Sequence, residues 1–412
     1  MNLGYLLRAY RKFHIREIMY ILFLFWLSLG LLCYCYIGYG LLAFILTRIK
    51  NWLHPVKKLP ESSPLIPVSL IVTAYNEENV LQQKIHNILE LDYPPELLQV
   101  IFVTDGSSDS STELIRRYPT ITLLHQPERK GKYAAIKRAM LSVHSPVVIF
   151  SDANAILNHQ CIRKIISHYS DTKVGGVAGE KKIVYKEQSS AVGQAEGIYW
   201  KYESFMKKLD SGLFTVVGAA GELFSIRTGL FPVLNDELIL DDFVISMQVC
   251  LRGYKIEYEP GAFATESPSL SLVEEEKRKT RISAGAYQSI AYLKDSLNVF
   301  RHPLLTFQYI SRRLMRWTIC PLMLILLLLS SVLLVIKGQY PIFYSLVLFG
   351  QLFFYSMALL GGWLARLGKT PGIFTIPFYF VFMNYCLAKG FFRFVKGKQT
   401  VLWEKSLRQA ME

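Results

Sequence analysis

Apolar and polar positions follow three different rhythms along this chain. Near the amino terminus, Ile18–Leu46 runs without a charge, and about 20 such residues cross a hydrocarbon core. It exceeds a signal-peptide core and no small-residue cleavage site follows, so it predicts an anchor. From Val68 short β-rich runs alternate with charged helical stretches. Strands are expected at Val68–Thr73, Gln99–Thr104, Thr120–His125 and Pro146–Ser151, and helices at Asn79–Glu90, Ser110–Tyr118 and Tyr133–Val143. That alternation predicts a mostly parallel sheet with helices on both faces and functional loops at the strands' carboxyl ends. Near the end the apolar texture returns, over Thr318–Ile336, Ile342–Ala365 and, more weakly, Ile373–Phe392. Before it, Val299–Trp317 mixes Arg301, His302, Arg312, Arg313 and Arg316 with aromatics, the composition of a helix lying in a membrane interface.

The resulting division is a basic segment and anchor (1–50), a proline-rich linker (51–67), an α/β domain (68–285), an amphipathic interfacial segment (286–317), transmembrane helices (318–392) and a basic tail (393–412). Hydrophobic residues make up 51% of the 412 and the net charge is +14. Much of that charge flanks apolar stretches, which points to membrane lipid and not to nucleic acid. The six cysteines have neither zinc-site nor disulfide-framework spacing.

The chemistry-bearing residues cluster where strands are expected to end: Ala74-Tyr75-Asn76-Glu77-Glu78, Asp105-Gly106-Ser107-Ser108-Asp109, and Asp152-Ala153-Asn154. One carboxylate there would be an ordinary helix cap. Three clusters on one sheet edge form a site. Arg129-Lys130-Gly131-Lys132 adds a glycine-bearing basic turn at a helix amino terminus, suited to a pyrophosphate.

The blocks PVSLIVTAYNEENVL, VIFVTDGSSDSS, RKGKYAAI and IFSDANAIL, in this order and spacing, resemble the family 2 inverting glycosyltransferases, of the membrane-bound polysaccharide-synthase type. The resemblance implies the GT-A fold flanked by transmembrane helices. It implies that Ala74, Tyr75, Glu77 and Asp105 hold the nucleoside, that Lys132 contacts the nucleotide, and that Asp152 and Asn154 hold Mg2+ or Mn2+ on the donor pyrophosphate. Asn154 stands where the family often has a second Asp. Val177–Glu180 and Val217–Glu222 resemble glycine-containing loops of the acceptor half. Asp241-Asp242 aligns with the family's base motif, Asp242 first and Asp241 second. Arg278-x-x-Arg281-Ile282 stands where processive members carry QxxRW: Arg281 keeps the cation that grips the donor pyrophosphate, and Arg278 stands in place of the glutamine, a second nucleotide-sugar contact. Ile282 replaces the tryptophan that helps line the acceptor site in processive synthases, which argues against long-polymer synthesis. The implied activity is inverting transfer of a hexose or N-acetylhexosamine from a UDP-sugar to a glycan or lipid-linked acceptor. The alternative is a non-catalytic component binding nucleotide sugar or glycan. The expected location is a bacterial inner membrane, catalytic domain in the cytosol.

Overall fold

A computed structural model describes residues 3–55, 64–184, 191–369, 371–397 and 400–402. Parts of the expected linker (56–63) and of the basic tail (398–399 and 403–412) lie outside the described residues.

The central domain is built on one eight-stranded sheet in the order β3-β2-β1-β4-β7-β6-β8-β5. Strands β1 (Val68–Ala74), β2 (Leu98–Asp105), β3 (Thr122–Gln126) and β4 (Val147–Asp152) run parallel. In register, Val68 lies opposite both Leu98 and Val147, so β1, β2 and β4 end level with one another. All seven residues of β1 are buried and all but Ser69 and Thr73 are apolar, as expected of a strand covered on both faces. One core layer joins alternate β1 residues to Leu81, Ile85 and Ile88 of helix α3 (Glu78–Leu89). The other joins Ile71 and Ile101 to helix α5 (Lys132–Met140) and helix α8 (Asp241–Leu251).

The second half adds β6 (Val174–Ile183), the short β7 (Phe224–Arg227), β8 (Lys255–Glu266) and β5 (Ile156–Leu157). Strand β7 is antiparallel to both β4 and β6, so the sheet is mostly parallel, not wholly so. Helix α7 (Ala191–Leu213) and helix α9 (Leu272–Tyr292) belong to this half, and α4 (Ser111–Arg116), α6 (Cys161–Ser167) and α10 (Pro303–Tyr309) are short.

Four described helical stretches are long and apolar enough to cross a membrane: Phe13–Leu53, Pro303–Ile336, Pro341–Arg366 and Gly372–Val395. The first is α1 (Leu3–Cys33) continued through a π-turn (Tyr34–Gly38) into α2 (Tyr39–Leu53). It is fastened to the central α/β domain. Lys50 Nζ donates to the Gly212 and Leu213 carbonyls at 2.9 and 3.0 Å, satisfying acceptors at the end of α7. The last stretch carries α13 (Thr375–Val395), which lies along α9: a Cβ on Gly390 would meet Ser283 Cβ at 2.4 Å. The basic residues of 299–317 do not all face outward as an interfacial helix requires. Arg312 is 2% exposed and donates to Glu203 at 2.7 Å and Asp210 at 3.2 Å, both on α7.

Candidate active site

The level ends of β1, β2 and β4 bring the three sequence clusters onto one edge. Asp105 is fully buried and holds the basic turn: Lys130 and Gly131 donate their backbone N–H groups to its two carboxylate oxygens, each at 2.9 Å. Gly131 has φ +97°, a conformation that favours glycine, so the turn can deliver Lys132 to the start of α5. Beyond β1, Ala74 is buried, and the Arg129 guanidinium lies 3.5 Å over the Tyr75 ring. Glu77 precedes α3, its backbone N–H donated to Ser111 Oγ at 2.9 Å.

Lys132 Nζ donates to Asp152 Oδ1 at 2.6 Å. An ideal Cβ on Gly221 would lie 2.8 Å from Lys132 Nζ, 3.2 Å from Asp242 Oδ2 and 3.7 Å from Asp152 Oδ2. These three groups therefore converge over one bare backbone, from α5, α8 and β4. Burial works against the Lys132 charge, but Asp152, Asp241 and Asp242 outweigh it and raise the ammonium above its ordinary value. Asp242 goes the other way for a carboxyl. Burial, then Asp241 beside it, push it up to about 7, against the pull of Lys132. Its Oδ1 accepts the Phe243 N–H at 2.8 Å, so a helix-start role and a free Oδ2 coexist. Asp241 is 4% exposed and its Oδ2 has no hydrogen-bond partner.

A divalent ion fits this edge only in part through protein ligands. Among the described residues no three His, Cys, Asp or Glu side chains form a ready metal cage. Mg2+ typically keeps waters and takes one or two carboxylates plus phosphate oxygens. Asp152, partly exposed with Oδ2 toward the space over Gly221, can supply one such carboxylate, and Asn154 stands in the turn that follows it.

Past Asp242 a cavity of about 460 Å3 opens away from the sheet edge. Trp200 and Lys207 of α7, Trp317, and Ile376, Phe380 and Met383 of α13 line it. Sequence reasoning missed this lining. The signal was present in α7, where Tyr199, Glu203, Lys207 and Asp210 recur at helical spacing and share an inward face. No tryptophan follows Arg281, but Trp200 and Trp317 bring indoles to the cavity from elsewhere. Arg278 also lines it, with two carboxylate partners of its own: it donates to Glu275 at 2.9 Å and to Glu196. Arg281 stands nearly one turn further along α9, half-buried.

A parallel α/β edge with this arrangement, continued by a mixed acceptor half and flanked by apolar helices, defines a GT-A-type glycosyltransferase domain. Residues 69–231 match the family model "Glycosyl transferase family 2". The chain is similar to the poly-beta-1,6-N-acetyl-D-glucosamine synthase of Staphylococcus aureus, 26% identical over 201 residues, and to the probable glycosyltransferase YdaM of Bacillus subtilis, 24% identical over 241 residues. These matches span 47% and 53% of this chain and 48% and 53% of those proteins, so the chain spans about half the length of the curated relatives it matches. Its fold is that of the mannosyltransferase PcManGT from Pyrobaculum calidifontis, solved in complex with GDP-Man and Mn2+. The TM-score is 0.65 at 20% identity, over 91% of this chain and 100% of that one.

Proposed function

We propose that the chain transfers a hexose or N-acetylhexosamine from a UDP-sugar to a glycan or lipid-linked acceptor, with inversion. The observation that carries this is the convergence of Lys132 Nζ, Asp152 Oδ2 and Asp242 Oδ2 over Gly221. One side of that point is the strand edge with its anion-suited turn; the other is the cavity.

On the donor side, Ala74, Tyr75, Glu77 and Asp105 frame the nucleoside, and Lys132 faces the diphosphate. Asp105 does so by fixing Lys130 and Gly131, whose amides line the turn. Asp152 and Asn154 would hold Mg2+ or Mn2+, which supplies positive charge against the departing diphosphate. Lys132 supplies the same sign of charge from the protein itself. Arg278 and Arg281 were expected on the nucleotide sugar. With Glu275 and Glu196 already on Arg278, we propose that this arginine positions the cavity wall instead.

On the acceptor side, Asp242 is the base. Its carboxyl sits near neutrality, where it can take a hydroxyl proton and still be ionised beforehand. The hydroxyl oxygen bonds to the anomeric carbon as the bond from that carbon to the diphosphate breaks. The proton passes to Asp242 and the electron pair leaves with the nucleoside diphosphate. Attack opposite the leaving group inverts the centre.

Topology follows from the tail. A Cβ on Gly131 would meet Val401 at 3.4 Å, so the chain beyond α13 returns to the donor edge. The catalytic domain and Val401 then share a face, which suits α11 (Met315–Ile336) and α12 (Pro341–Arg366) as a crossing pair. Helix α13 lies against α9, with Lys389 beside Glu276 at 2.5 Å, and does not cross. Nucleotide sugars place that face in the cytosol, beneath a bacterial inner membrane.

The test is the anomeric configuration of the product. The protein in detergent is given a panel of UDP-sugars and GDP-mannose, and nuclear magnetic resonance follows the new linkage. An inverted centre from a UDP-sugar is expected; retention, or no transfer from any UDP-sugar, would refute the reading.

A further inference from the structure

The cavity beyond Asp242 sets a buried lysine against an apolar wall. Lys207 is 3% exposed, lines the cavity, and has no hydrogen bond and no ion pair among the described residues. Its Nζ lies 5.7 Å from the centroid of the Trp200 ring. The neighbouring acids face other cations first. Glu222 gives one oxygen, Oε1, to Lys181, and its Oε2 has no hydrogen-bond partner among the described residues. Arg312 at 2.7 Å, Arg313 at 3.4 Å and Arg316 at 2.8 Å all converge on Glu203. Burial lowers the Lys207 ammonium, with Glu222 and Glu203 pulling back. A buried amine with no hydrogen-bonded counter-ion is costly, and an incoming anion is what relieves it. The opposite wall is apolar. It is supplied by stretches long enough to cross a membrane: Tyr36 of the first, and Ile376, Phe380 and Met383 of α13.

We propose that this cavity takes an acceptor whose hydroxyl-bearing head is joined to a lipid through phosphate. The phosphate seats at Lys207, with Arg313 and Arg316 beyond it. The lipid follows the wall of α13, and the hydroxyl reaches Asp242. The proposal rests on Asp242 as base and on transfer from a nucleotide sugar, and it narrows the acceptor from any glycan to a phosphate-linked amphiphile. A neutral oligosaccharide would leave Lys207 without a counter-ion and press polar hydroxyls onto Phe380 and Met383. The chemistry has two sources: a glycerophospholipid headgroup, or a sugar carried on a polyprenyl pyrophosphate.

The experiment uses the full chain in phosphatidylcholine nanodiscs with radiolabelled UDP-sugars. Four acceptors are compared: phosphatidylglycerol, a polyprenyl-pyrophosphate-linked N-acetylglucosamine, diacylglycerol, and a soluble N-acetylglucosamine oligosaccharide. Label is expected in the organic extract with one or both of the first two, at least tenfold above diacylglycerol, and which of the two responds identifies the source. Lys207→Met should raise the apparent KM for that lipid about tenfold or more while the affinity for UDP, measured by calorimetry, is unchanged. Lys207→Arg should recover most of it. Ile376→Asp, at a 62% exposed position on the apolar wall, is the second variant and should lower lipid use in an otherwise folded protein. Equal use of diacylglycerol, transfer to the oligosaccharide alone, or unchanged lipid KM in both variants would overturn the proposal and leave glycosyl transfer standing. Absence of both UDP binding and transfer would instead overturn the reading on which it rests.

Discussion

Lys132 donates to Asp152 Oδ1 across 2.6 Å, joining the first residue of α5 to the last of β4. The same ammonium is held charged by Asp241 and Asp242 from α8. One cation thus ties the donor edge of the sheet to the proposed base.

Replacing that cation tests the tie. Lys132→Met leaves Asp152, Asp241 and Asp242 without their shared counter-charge. Transfer at neutral pH should fall about 10²-fold or more, the scale of losing one aligned electrostatic stabiliser. The variant's pH–rate profile should also move upward, because Lys132 is what holds Asp242 down. Rates from pH 6 to 9 would show both effects.

The pH dependence of the unaltered protein has a definite sign. Burial and Asp241 raise Asp242 to about 7, so the carboxyl is protonated, and cannot accept a proton, below that value. The ratio kcat/KM should climb with pH through about 7, falling roughly tenfold per unit on the acid side. A profile flat from pH 5 to 8 would disagree with a base so placed.

Gly218 guards the position of α8. Its φ is +86°, and a Cβ there would lie 2.0 Å from Phe243 Cδ2, next to Asp242. Gly218→Ala should cost about 1–3 kcal/mol through backbone strain, with the steric clash added. It should depress kcat more than the affinity for UDP, as thermal unfolding and steady-state rates would show.

Glu203 is the shared acceptor of three guanidiniums and is 2% exposed. Burial disfavours its charge, but Arg312, Arg313 and Arg316 hold it well below the usual carboxylate range. Glu203→Ala leaves those cations facing one another. Losing one partner of a buried ion network costs about 3–5 kcal/mol, so the melting temperature in detergent should drop by several degrees or more.

How much of this was legible depends on how local each signal was. The first half of the sheet was readable because β1, β2 and β4 are mostly apolar and each ends in its own polar cluster. The second half was not. Strand β6 contains Gly175, Gly176 and Gly179, β7 has four residues, and β8 is interrupted by Pro260-Gly261, so none shows a clean strand pattern. The arginines of 299–317 suggested a membrane-surface face because charge beside aromatics does so locally. Glu203 and Asp210, their partners, lie about a hundred residues earlier, and no spacing reveals that pairing. Arg278 shows the same thing, since Glu196 is 82 residues away. Asp242 was found by its motif, but its raised carboxyl depends on Asp241, burial and Lys132 together, which only the folded chain assembles.

The side of the tail can be read chemically. With Cys33 replaced by Ser, a cysteine at Thr400 should react from the same face as one at Leu141, an 84% exposed site on the central α/β domain. Labelling from the opposite face would contradict a non-crossing α13.

The central claim is that Asp242 takes the acceptor proton. The most direct measurement is Asp242→Asn in purified membranes, assayed for sugar transfer and, separately, for UDP binding. The amide keeps the shape and the contact with the Phe243 N–H but cannot accept the proton. Loss of transfer by about 10²–10⁴-fold with UDP binding intact is the predicted result. Transfer at the unaltered rate would contradict it.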